Sequence, residues 1–152
     1  MAEAQLKETP TEAMIAALDM PQGGWSHAAR EDALARVRAM GLPQRRDEYW
    51  KFTRPDTLTQ AGAQPAAIFD HGDAPLFDGT ERLRIVFADG VFDAEASDDL
   101  TLEGVSIERL AAADSDLHWA RDLYGTLEKN GQAPVQRPLA ALNTAFATDG
   151  VL

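Results

Sequence analysis

Leu83-Arg84-Ile85-Val86-Phe87-Ala88-Asp89-Gly90-Val91-Phe92 decides the fold class. Apolar β-formers flank Asp89-Gly90, and a type I′ turn needs positive φ at both central residues, which Asp-Gly supplies. The stretch therefore predicts a tight β-hairpin. Around it most of the chain reads as helix. The expected class is α+β, with helices at both ends around a small sheet that holds this hairpin.

Downstream, Leu100 to Ile107 predicts another strand, with Leu100, Leu102 and Val105 or Ile107 apolar. Glu108 to Ala113 reads as a short helix. Ser115 is placed to cap a longer one, with Trp119, Leu123 and Leu127 on one face and a stop at Asn130-Gly131. Gly125 inside that helix costs about 1 kcal/mol relative to alanine. Pro138, at the favoured first helical position, opens a last helix whose apolar face is Leu139, Leu142 and Phe146, ending at Asp149-Gly150. That face is expected to pack loosely and to favour self-association. Val151-Leu152 is an apolar, extended pair that reads as the start of a strand, so these residues are expected to be the front piece of a longer polypeptide.

Upstream, Ala66 to Phe69 predicts a short strand, Asp70-His71-Gly72-Asp73 a turn, and Ala61 to Gln64 a linker. A first helix is expected to begin at Thr9-Pro10, with Ala13, Met14, Ala17 and Leu18 on its apolar face, and to break at Pro21-Gln22-Gly23-Gly24. A second runs from Ser26, an N-cap residue type, to Met40. Ala33, Leu34, Val37 and Met40 fall on one stripe, and Asp32 and Arg36 form an i,i+4 pair. Gly41 supplies a left-handed stop and Pro43 prevents continuation.

The 152 residues amount to about one ordinary domain. Twenty-seven alanines contribute little buried area, so the core rests on few large side chains. The net charge of −11 argues against nucleic acid and anionic membrane as partners. The longest unbroken apolar run, Ala13 to Leu18, is six residues, where a span needs about 18. With no cysteine, disulfides, thiol catalysis and thiolate-held metals are excluded within these residues. Nothing at the N-terminus resembles a secretory leader, and a cytoplasmic location is expected.

Gln44 to Pro55 departs from this background: three aromatics are mixed with four basic residues and two acids. Residues 30–54 carry a local +3, residues 93–128 a local −8. Arg45, Arg46, Glu48, Trp50 and Lys51 are the candidate motif. One interpretation is a structural latch, with Trp50 and Phe52 entering the core and the arginines paired to local acids. The rival is a partner-docking patch. Stacking on single-stranded nucleic acid is disfavoured by Asp47 and Glu48.

Catalytic chemistry has one weak candidate. Asp70, His71 and Asp73 combine imidazole and carboxylates, as a metal half-site of a small metal-dependent hydrolase would; the same residues make an ordinary polar turn. His27 and His118 stand on predicted helices without ligand-spaced partners. None of the serines weighed, Ser26, Ser97, Ser106 and Ser115, lies in Gly-x-Ser-x-Gly, and no phosphate-binding loop is present.

Gly41 to Thr53, reading GLPQRRDEYWKFT, resembles the signature GLP-x-RR-x-E-x-WKYT of SufD-type iron–sulfur cluster assembly proteins. LRIVFADGVF at 83–92 is similar to that family's VFVDG-x-F strand pair, and PLAALNTAFATDGVL at 138–152 to the segment leading into its β-helix. The three stand in family order, with Phe52 in place of the usual tyrosine. The resemblance implies a helical lead-in over 1–40, an α+β N-terminal domain over 41–137, and a helix and strand start over 138–152 leading into a right-handed β-helix. It implies a scaffold subunit with SufB-like and SufC-like partners, docked mainly through later parts of such a chain. No catalytic residue and no cofactor are implied for these residues.

Overall fold

Asp-Gly between two runs of β-formers closes the hairpin as expected. The computed structural model describes residues 2–60, 77, 79–88, 90–101, 103–113 and 118–152. Strand β1 (Val86–Ala88) pairs antiparallel with β2 (Val91–Asp93) in the register Val86 to Asp93, Phe87 to Phe92 and Ala88 to Val91. Only two residues separate the strands, and Gly90 has φ 79°. The described residues group into two compact units: those of 1–63 with 113–148, and those of 64–112 with 149–152. Helices make up the first and the hairpin belongs to the second, so the chain is α+β.

In the second unit Phe87 and Phe92 meet edge to face at 5.6 Å, and the Arg109 guanidinium lies 4.1 Å from the centre of the Phe92 ring. Past β2, the Asp93 carboxylate accepts from the amides of Glu95 and Ala96, which turns the chain back. The Val86 amide then donates to Ser97 Oγ at 2.8 Å. The strand expected over 100–107 is not formed by the described residues there; Glu103 and Gly104 form a turn, with Gly104 at φ 79°. Nor is 108–113 a helix. Arg109 bridges antiparallel to Val151, and the Glu108 and Leu152 backbones bond each other in both directions. A chain end with free amides satisfies more backbone groups in this pairing than an isolated turn of helix would.

In the first unit, α1 (Ala2–Ala16) starts seven residues earlier than Thr9 and runs through Pro10. Proline removes a single helical donor and bends a helix without necessarily ending it. Thr11 and Met14 are its buried residues among those described. Helix α2 (His27–Met40) has the expected bounds and the Asp32–Arg36 pair, at 2.6 Å. Its stop differs in detail: Gly41 combines φ 67° with ψ 162°, an extended glycine conformation instead of a left-handed helical one. Ser26 does not cap through its side chain; its Oγ accepts from Arg30 Nε.

The single helix expected over 115–130 is two, α3 (His118–Leu123) and α4 (Thr126–Asn130). Gly125 between them is left-handed at φ 74°, and a Cβ there would lie 3.1 Å from Thr144 Cγ2. The glycine that weakens a continuous helix is thus used to break it and allow close approach. Trp119, Leu123 and Leu127 consequently form no buried face: they are 55%, 62% and 87% exposed.

Helix α5 (Pro138–Phe146) begins at Pro138 and ends before Asp149. It makes the most extensive helix pairing of the chain, with α2. The buried face is Pro138, Ala141, Thr144 and Ala145, while Leu139, Leu142 and Phe146 are half-buried. Ala33, Ala141 and Ala145 are fully buried, because small side chains let two helix backbones approach. The expectation of a loosely packed final helix is overturned: α5 is a core element. Val37 and Leu42 complete this core.

Candidate functional site

Pro43 ends the helical stretch, and the chain must turn to leave it. Gln44 to Thr53 makes that turn through backbone bonds from Asp47 to Gln44, Trp50 to Asp47 and Thr53 to Trp50, with a 3-10 helix at Glu48–Trp50. The Asp47 carboxylate accepts from the Gln44 amide at 3.0 Å and holds the bend. Opposite stands the segment 134–138, entered through a cis Ala133–Pro134 bond. Between them lies a cleft of about 920 Å³ in the first unit. Met40, Pro43, Trp50, Pro134, Val135 and Pro138 supply its apolar surface.

Four of the five motif residues, Arg46, Glu48, Trp50 and Lys51, line this cleft. Arg45 instead borders a small hollow of about 160 Å³ with Pro10, Leu42 and Asp56. Lys51 pairs with Glu48 three residues before it, and its ammonium lies 5.1 Å from the centre of the Phe52 ring. Arg45 and Arg46 are exposed and pair with no described acid, contrary to the latch expectation. Trp50 is half-buried and meets Tyr49 edge to face at 6.1 Å. Tyr49 is 63% and Phe52 91% exposed, so these rings do not enter the core. The anchoring expected of them falls to Leu42, whose amide donates to Thr11 Oγ1 at 3.0 Å.

The sequence pointed to one wall of the cleft. The other comes from residues about ninety positions later, and its only local sign was the pair Pro134 and Pro138. A buried polar cluster was also missed. Arg30 is 2% exposed and donates from Nε to Ser26 Oγ at 3.0 Å and from Nη1 to the Ala145 carbonyl at 3.1 Å. Its guanidinium lies 5.3 Å from the centre of the Tyr124 ring, which meets Trp25 edge to face at 5.6 Å. Tyr124 OH donates to the Thr144 carbonyl at 2.8 Å. Burial lowers the pKa of Arg30, opposed by Tyr124, and raises that of Tyr124, opposed by Arg30. Arg30 stands three and seven residues before Ala33 and Val37, so the helical period already placed it on the buried stripe.

Two further ion pairs tie distant segments together. Arg36 binds Glu128 at 2.5 Å, a bond that raises the Arg36 pKa against the opposing effect of burial. In the second unit, Asp149 accepts from Arg109 and from the amides of Ala111 and Gly150. Burial alone would raise the Asp149 pKa, but these bonds outweigh it and hold the group below the ordinary aspartate value. A depressed carboxylate contributes stability above its unfolded pKa of about 3.9, and loses it as pH falls through the lower folded value. Carbon NMR titration of Asp149 is therefore expected to show a midpoint below that of a free aspartate. The stability difference between the protein and Asp149→Asn should be steady from neutral pH to about 4 and shrink below it. A difference independent of acid would contradict this.

Asp70, His71 and Asp73, with the expected linker at 61–64 and strand at 66–69, lie outside the described residues. Among the described residues, no three carboxylate or imidazole groups are gathered to hold a metal. His27 Nε2 lies 3.5 Å from Glu31, and its Nδ1 is buried without a hydrogen-bond partner. No described helix is long and apolar enough to cross a membrane. Compared with known proteins, the chain matches no family model and shows no significant similarity to a curated protein.

Proposed function

We propose that this chain serves as the N-terminal part of a SufD-like scaffold subunit in iron–sulfur cluster assembly, in a binding and structural role without chemistry of its own. The observation that carries the reading is the signature at Gly41–Thr53, followed in family order by 83–92 and 138–152. The conformation of the first segment is compatible with a binding role: its charged and aromatic side chains line an open cleft instead of filling the core. In this reading the domain holds no cofactor, and its partners are SufB-like and SufC-like subunits, not nucleic acid or membrane. It works in the cytoplasm.

Affinity purification of the full-length protein from its host tests the proposal. A SufB-like chain and a SufC-like ATPase are expected to co-purify in near-stoichiometric amount. Recovery of the protein without either, from cells that express both, would remove the scaffold role.

A further inference from the structure

The cleft between Glu48–Trp50 and the segment 134–138 has a size, wall chemistry and charge that specify an occupant. Its volume, about 920 Å³, is that of a binding cleft and not of a packing defect. Pro43, Pro134 and Pro138 offer no backbone donors, so a partner cannot be recognised there by strand addition. Recognition must come from rings and charged side chains. Tyr49 and Phe52 hold large aromatic surfaces in water beside the half-buried Trp50, and aromatic side chains with arginine are the residues enriched where partners dock.

The charge selects the sign. Residues 45–54 carry four cations and two carboxylates, a local +2 in a chain of −11. Lys51 is matched by Glu48, and Asp47 is held by the turn. Arg46 at the cleft, with Arg45 beside it and Arg54 nearby in sequence, supplies the excess, and all three are exposed. A complementary partner is anionic. A polyphosphate would meet the overall −11 along its length and two carboxylates within the lining. A short peptide can place a few carboxylates at the arginines and an apolar side chain against Trp50.

We infer that the Trp50 cleft docks an extended, acidic segment of a partner protein, anchored by an apolar side chain and oriented by Arg45 and Arg46. The inference goes beyond the cluster-assembly reading and stands without it.

Fluorescence anisotropy with a labelled synthetic peptide, glutamate-rich around a central Leu-Pro-Leu, tests it on the whole chain. Saturable binding is expected, weakening as salt rises. A peptide with lysine for glutamate should bind at least about tenfold more weakly, and Arg45→Ala with Arg46→Ala should cost about tenfold or more. Both arginines are exposed, so the double variant should keep its melting temperature, which separates lost docking from lost folding. If Trp50→Ala unfolds, Tyr49→Ala gives the aromatic arm of the test. No saturation up to about 1 mM would overturn the inference. So would equal affinity for the lysine peptide, indifference to the arginine changes, or tighter binding of a thymidine oligonucleotide. Sedimentation showing a dimer that Tyr49→Ala dissolves would assign the cleft to a second copy and overturn it too.

Discussion

Arg30→Ala is expected to lower stability by about 3 kcal/mol in chemical denaturation. The side chain donates to Ser26 and to the Ala145 carbonyl, and its guanidinium approaches Tyr124. Hydrogen bonds from a charged donor contribute about 1.5–3 kcal/mol each before desolvation is counted. Burial of the cation opposes them, as the lowered pKa records, and no described carboxylate pairs with it. Truncation relieves that penalty but leaves the Ser26 hydroxyl and Ala145 carbonyl unpaired in a buried place, with the space of the long stem beside them. Arg30→Lys should recover part of the loss, since an ammonium carries charge but cannot reproduce the planar fork that reaches both acceptors. A loss below about 0.5 kcal/mol for Arg30→Ala would show that the cluster is decoration, not a tie between α2 and α5.

Ala145→Phe is expected to cost about 3 kcal/mol, at the upper end for overpacking. Ala145 is fully buried, as are Ala33 and Ala141, where α5 meets α2. An aromatic ring there must displace a helix or leave its rotamer well. Leu142→Ala, at a half-buried position, should cost less than the roughly 2–5 kcal/mol of a fully buried leucine. Thermal and chemical denaturation of the two variants compare the faces directly. If Leu142→Ala proves the more damaging, the large side chains and not the alanines hold the helix.

The contrast at α5 shows where local pattern stops. Leu139, Leu142 and Phe146 are the most hydrophobic positions of that helix, yet the alanine face makes the close contact with α2. Hydrophobicity ranks residues by area removed from water, whereas two helices meet where side chains are small enough for their backbones to approach. Trp119, Leu123 and Leu127 were misplaced for a related reason. A helical period assumes that the helix continues, and one left-handed glycine at 125 ends it.

What the sequence determined by itself is what neighbouring residues impose on each other. Asp89-Gly90 between β-formers specified the hairpin and its register. Pro43 and Gly41 ended α2, Pro138 began α5, and the i,i+4 spacing formed the Asp32–Arg36 pair. The concentration of aromatics and arginines at 44–55 marked one wall of the cleft. Only the tertiary structure decided the second wall at 134–138, the buried place of Arg30 under Ala145, and the pairing of Arg109 with Val151. Each joins residues about forty or more positions apart. Such contacts overcome a loop-closure cost that local propensity does not encode, and they are selected by the packing of the chain as a whole.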